Sequence, residues 1–137
     1  MYNDDYETCS KTYVTLRIYF EKMNSHELTE HLKIVPTKFQ NKGENSTDDL
    51  NVTIEHNGWF LSTEKNVKSN DFRRHIDYLS DILIPIKYKL KKIIRDGGKI
   101  DFSCYWLSKN GFGGPTLSCK QFSKLAELEI DLWFNIY

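Results

Sequence analysis

The residues able to carry chemistry are sparse in this chain, and none falls in a catalytic spacing. Its three cysteines are Cys9, Cys104 and Cys119. Cys119 stands in the first turn of a predicted helix, where free backbone N–H groups favour a thiolate. It is the strongest nucleophile candidate, yet no base is adjacent in sequence, and only the fold could bring His56 or His75 to it. Cys104 alternates with apolar residues and is predicted to point inward, where a thiol behaves as a small apolar group. His26 and His31 lie five apart, off a common helical face, and zinc needs three or four converging ligands. The cysteines and histidines therefore read as structural. No catalytic residue, metal ligand or cofactor is assigned, and the balance leans away from an enzyme.

Two further features could act on a ligand. Asp101 and Asp131 would form a carboxylate pair if their strands are neighbours, and paired carboxylates can perform acid–base work. On an open, wet face they read instead as surface charges, with Arg17 as a partner. The second feature is the loop Asn110-Gly111-Phe112-Gly113-Gly114-Pro115, which feeds a helix start capped by Thr116 or Ser118. Such a loop can hold an anion, with Gly113, Gly114 and Thr116 as the candidates. It lacks both the Lys-Ser/Thr ending of a phosphate loop and the G-x-G-x-x-G pattern, so a tight connection is the first reading.

The elements that position these groups follow from periodicity. Residues 12–20 alternate Val14, Leu16, Ile18 and Phe20 with Tyr13, Thr15, Arg17 and Tyr19, a period of two that predicts a strand. The same pattern recurs at 99–108 and 129–137. A short helix over 25–33 is capped by Asn24 or Ser25 and stopped before Pro36. Residues 38–49 are polar and read as a loop. Residues 51–55 and 59–63 flank Asn57-Gly58, which predicts a hairpin. A long helix over 71–95 carries an apolar stripe that stays in phase across Pro85, so a kink is expected there. A last helix over 118–127 buries Phe122 and Leu125. The order is β-α-β-β-α-β-α-β. The strand-plus-SHELTEHLKI unit has a counterpart in the strand-plus-SCKQFSKLAELEI unit, which suggests an internal duplication. The fold class is α+β, with a mixed or mostly antiparallel sheet, helices on one face and ferredoxin-like wiring.

Composition bounds the function. A chain of 137 residues forms one domain, here 12–137 behind a loosely held polar tail, 1–11. Nineteen basic and nineteen acidic residues balance to zero net charge, so no global field draws the protein to nucleic acid or membrane. The basic residues Lys87, Lys89, Lys91, Lys92 and Arg95 read as a solvated helix face. No apolar run approaches the roughly 18 residues of a membrane span. The N-terminus shows no signal peptide, and an odd, sparse cysteine set fits a reducing compartment, hence a cytoplasmic protein.

Several segments taken together, FSCYW followed by GFGGPTLS, TLRIYF, LKIVPTKF, GWFLSTE and IDLWFNIY, resemble the domain-of-unknown-function family 4279 of small, mostly bacterial domains. The resemblance runs from about Thr12 onward. It implies the domain extent and carries no activity or catalytic residues. The resemblance permits an immunity or accessory role.

If helices cover one side of the sheet, the other side carries Tyr13, Arg17, Tyr19, Asp101, Tyr105 and Trp133, with Trp59 joining if its hairpin is in register. Tyr, Trp and Arg dominate binding hot spots. The expectation is a non-enzymatic module that engages a protein, or a second copy of itself, through this face. The alternative is a binder or enzyme for a small anionic ligand, held by Arg17 between the face and the 38–49 loop. Asp101 and Asp131 beside a single arginine argue against a nucleic-acid face.

Overall fold

A computed structural model describes residues 1–137. The alternating residues of the first strand produce β1 (Cys9–Tyr19), the centre of one five-stranded sheet. The other strands are β2 (Lys38–Gln40), β3 (Gly58–Ser62), β4 (Lys99–Ser108) and β5 (Asp131–Ile136), in the order β2-β3-β1-β4-β5. The first three neighbour pairs are antiparallel, and β4 and β5 are parallel. Strands β1 to β4 thus have the split β-α-β wiring of ferredoxin-like folds. Helix α4 then adds β5 at the edge.

Helix α1 (Ser25–Leu32) opens with a capping box between Asn24 and Glu27, and α4 (Cys119–Leu128) with one between Ser118 and Gln121. Both close on a left-handed residue, Lys33 and Glu129. The two strand–helix units share these details. They differ in closure, because α4 returns to a strand beside β4 whereas α1 leads to β2, with β3 between it and β1. The expected long helix is two, α2 (Phe72–Leu83) and α3 (Lys87–Arg95), joined by a tight turn at Ile84–Ile86 around Pro85. Proline has no N–H to continue the ladder. The stripe stays in phase, burying Ile76, Leu79 and Leu83, then Leu90 and Ile93. Asp71 caps α2, accepting the Arg73 N–H at 3.0 Å.

All helices pack on one side of the sheet. The core joins Val14, Leu16, Ile18, Trp59, Phe102, Cys104 and Trp106 from the strands to Leu28, Leu32, Phe72, Ile76, Leu79, Leu90 and Leu128 from the helices.

Several expectations are corrected. Residues 1–11 are not a loose tail. Strand β1 begins at Cys9, and the residues before it are bonded to α2 and to the glycine loop. The Tyr2 hydroxyl donates to Asp77, the Asn3 N–H to Asp71 at 2.7 Å, and Arg74 pairs with Asp4 at 2.8 Å. The Tyr6 ring meets the Trp106 edge, centroids 5.5 Å apart. The hairpin at Asn57-Gly58 does not form. The partner of β3 is β2, inside the expected loop, and Asn45 and Thr53 instead share an isolated bridge. Asn57 is an internal bracket, accepting the Lys42 N–H and donating to the Phe20 and Met23 carbonyls. Phe122 is exposed, and Gln121 and Leu128 are buried in its place. On β5, Phe134 and Ile136 stay 37% and 57% exposed, because β5 is an edge strand that the helices cover only in part.

Candidate functional site

The uncovered sheet face is built by three strands in register. Tyr13 lies opposite Tyr105, Thr15 opposite Ser103, Arg17 opposite Asp101 and Tyr19 opposite Lys99 across β1 and β4. Asp131, Trp133 and Asn135 of β5 continue the rows beside Asp101, Ser103 and Tyr105.

At one end is a row of phenol rings. Tyr13 and Tyr105 stack with centroids 4.8 Å apart and planes 11° apart. Tyr137 follows at 5.4 Å from Tyr105. Lys11 lies 5.5 Å from the Tyr13 ring centre while pairing with Glu64 at 2.6 Å. Partial burial raises the Tyr13 pKa, and Glu64 adds to that. In the middle, Arg17 Nε and Nη2 donate to the two Asp101 oxygens at 2.7 and 2.6 Å, a bidentate fork. That bonding raises the Arg17 pKa further, against the opposing effect of burial. At the far end Tyr19 meets Phe60 edge-on, centroids 5.6 Å apart. Trp133 stands 59% exposed on the outer strand.

Tyr13, Arg17, Tyr19, Asp101, Tyr105 and Trp133 are therefore brought to one face. Trp59 is not. It is fully buried opposite Ile18 on the helix side, and its indole N–H donates to Thr29 Oγ1 at 3.1 Å. Its place is taken by Phe60, which sequence reasoning missed. The signal was present, since Trp59 shares its parity with Leu61, an aliphatic residue that marks the core side.

The glycine loop is a packed connection. Gly113 has φ +83°, and a Cβ there would stand 2.4 Å from Thr8 Oγ1. The Tyr6 hydroxyl donates to the Gly114 carbonyl at 2.9 Å and lies 2.7 Å from Thr116 Oγ1. Gln121 Oε1 takes the Ser118 N–H at 2.9 Å. Of the groups offered for an anion, the Thr116 hydroxyl thus already has a partner within the chain, and the Ser118 N–H behind it is taken as well.

Asp101 and Asp131 do sit side by side across β4 and β5, but Asp101 is held by Arg17. Cys119 is exposed, while Cys9 and Cys104 are buried. Burial pushes the Cys9 thiol up to about 11 and the Cys104 thiol up to about 12. His75 is sealed, with one ring nitrogen 2.6 Å from Thr63 Oγ1 and the other 2.8 Å from the Ser69 carbonyl. His56 lies 3.1 Å from Glu21. Neither is a free base for Cys119. No group of three metal-ligating side chains converges. No helix is long and apolar enough to cross a membrane.

A cavity of about 730 Å³ opens where β1 ends and β4 and β5 begin, lined by Tyr19, Lys99, Asp101, Glu129, Asp131 and Trp133 among others. Three carboxylates against one lysine disfavour an anion. Residues 38–49 do not line this cavity.

The family model described as "Domain of unknown function (DUF4279)" matches residues 10–137, so the chain belongs to that family. No curated protein and no solved structure shows a significant match.

Proposed function

We propose that this member of the DUF4279 family is a non-enzymatic protein-binding module of a bacterial cytoplasm, which engages its partner through the uncovered sheet face. The observation that supports it is the tyrosine row Tyr13–Tyr105–Tyr137 beside the Arg17–Asp101 fork, on the side where no helix packs. Stacked phenols offer a rigid, amphipathic contact with little rotamer entropy left to lose. The Arg17–Asp101 pair supplies directional polar groups at the centre of the face. Because each charge is already neutralised by the other, docking over it does not bury an isolated ion. Free, undisulfided cysteines fit a reducing cytoplasm. An immunity or accessory role suits such a face.

The test is recovery of a bound protein by the immobilised chain, compared with Tyr105→Ala and Tyr13→Ala. Each variant keeps its helical circular dichroism and loses about 2 kcal/mol of binding, roughly 30-fold in affinity. Equal recovery of the same partner by wild type and both variants refutes the reading.

A further inference from the structure

Strand β5 is a sheet edge with nothing to protect it. The Tyr137 N–H donates to the Trp106 carbonyl at 2.9 Å, and its own carbonyl accepts the Ser108 N–H at 2.8 Å. Position 137 therefore turns both backbone groups toward β4. A period of two turns those of Leu132, Phe134 and Ile136 the other way, where no turn, loop or side-chain bond reaches them. Edge strands are normally blunted by lysine, proline, a bulge or extreme shortness. The opposite edge follows that rule, since β2 has three residues and begins with Lys38. Over its six residues β5 has none of these devices and a single charge, Asp131. It also exposes apolar side chains on both sides, with Trp133 59%, Phe134 37% and Ile136 57% exposed.

Free donors and acceptors in this spacing are satisfied by another extended strand. We propose that the strand is β5 of a second copy, antiparallel, about a two-fold axis normal to the sheet. Such an axis keeps each face on its own side, so opposed residues must share parity and the axis must pass through one residue. With the axis at Trp133, Asp131 faces Asn135 of the second copy, and Leu132 faces Phe134. Trp133 faces itself. The lone carboxylate gains an amide donor, no like charges meet, and every exposed apolar residue from 132 to 134 meets an apolar one. Trp133 directs its backbone toward β4, so the two indoles occupy a non-hydrogen-bonded position, where opposed side chains are closest. Moving the axis to Phe134 would set Trp133 against Asn135. The strand is complementary to itself, which singles out this chain over a foreign peptide.

The proposal goes beyond the tyrosine-face reading, because the contact is made by the sheet edge. The paired sheets form one ten-stranded sheet with the two tyrosine rows on the same side.

Light scattering of the full chain tests it. Wild type has twice the chain mass at micromolar concentration. Trp133→Lys and Trp133→Glu, substituted at an exposed position, keep the wild-type circular dichroism and fall to the single-chain mass. Mixed in equal amounts they regain the double mass, since lysine and glutamate then face each other across the axis. A wild type that stays single up to high micromolar concentration overturns the proposal. So does a dimer indifferent to both charges, or a mixture that stays single. Tyr105→Ala keeps the double mass. If it also keeps its protein partner, the tyrosine-face reading fails alone.

Discussion

Acidifying the protein from about pH 8 to about pH 5 protonates His75 in the unfolded chain before it does so in the folded one. His75 is fully buried. The Ser69 carbonyl can only accept, so the ring nitrogen 2.8 Å away carries the hydrogen. The other nitrogen lies 2.6 Å from Thr63 Oγ1, whose oxygen accepts the Val14 N–H at 3.0 Å. The hydroxyl hydrogen therefore points at the ring. A second ring proton breaks that arrangement. Burial holds the His75 pKa below the ordinary value, with help from Arg74, against the Ser69 bond and the charges of Asp71 and Asp4. A depressed histidine pKa means the unfolded state binds more protons within the window. Stability is complete above about pH 6.5 and falls as the pH drops toward the folded pKa. The slope from this one group is at most about 1.4 kcal/mol per pH unit. For a domain of this size each kcal/mol moves the melting temperature by about 3–5 °C. Urea midpoints across the range measure it. Asp71 and Asp77 have lowered pKa values, so their contributions are lost only below the ordinary carboxylate range. His75→Gln, which cannot titrate, should flatten the curve between about pH 7 and 5. A wild-type midpoint that is flat there, or an equal slope in His75→Gln, refutes the reasoning.

Two contrasts check the packing directly. Gly111→Ala and Gly113→Ala both place a side chain at positive φ, but only Gly113 has a neighbour in the way, Thr8. The first should cost about 1 kcal/mol and the second about 2–3, read from denaturant midpoints, and equal losses would show that the N-terminal segment does not press on the loop. A thiol reagent at neutral pH should modify Cys119 alone in the native protein. Cys9 and Cys104 should react only after denaturation, and labelling of either beforehand would contradict their burial.

The long elements were legible because their periodicity is long. Sustained alternation from Thr12 through the rest of β1 and along the middle of β4 sets which side meets the core. The stripe through α2 and α3 likewise survives Pro85. Where the chain was misread, local chemistry had two uses. Asn57-Gly58 has the composition of a turn, but the asparagine bonds three backbone groups, and the glycine leaves room for the Phe60 and Gln40 side chains that a Cβ would crowd. Strand β2 is only three residues long and exists because β3 offers it a ladder, an influence no window of sequence contains. The contacts of Tyr2, Asp4 and Tyr6 lie more than 60 residues away in sequence, and no local pattern announces them. Tyr13, Arg17, Tyr19, Asp101 and Tyr105 share one side of the sheet because β1 and β4 are long and paired in register, and Trp133 follows on β5 beside Ser103. Trp59 was misplaced although its shared parity with Leu61 pointed to the core side.

The opening residues reach Asp71, Asp77 and Gly114. During synthesis they are made before everything that anchors them, α2 first and the glycine loop after it. Their bonds to α2 and its cap become possible once that helix has been translated, and the bond to the glycine loop only when every strand but the last has been made. A tag or fusion placed there would tug on contacts that span the chain from α2 to the glycine loop, whereas the same addition to an internal loop such as 46–51 would leave them alone.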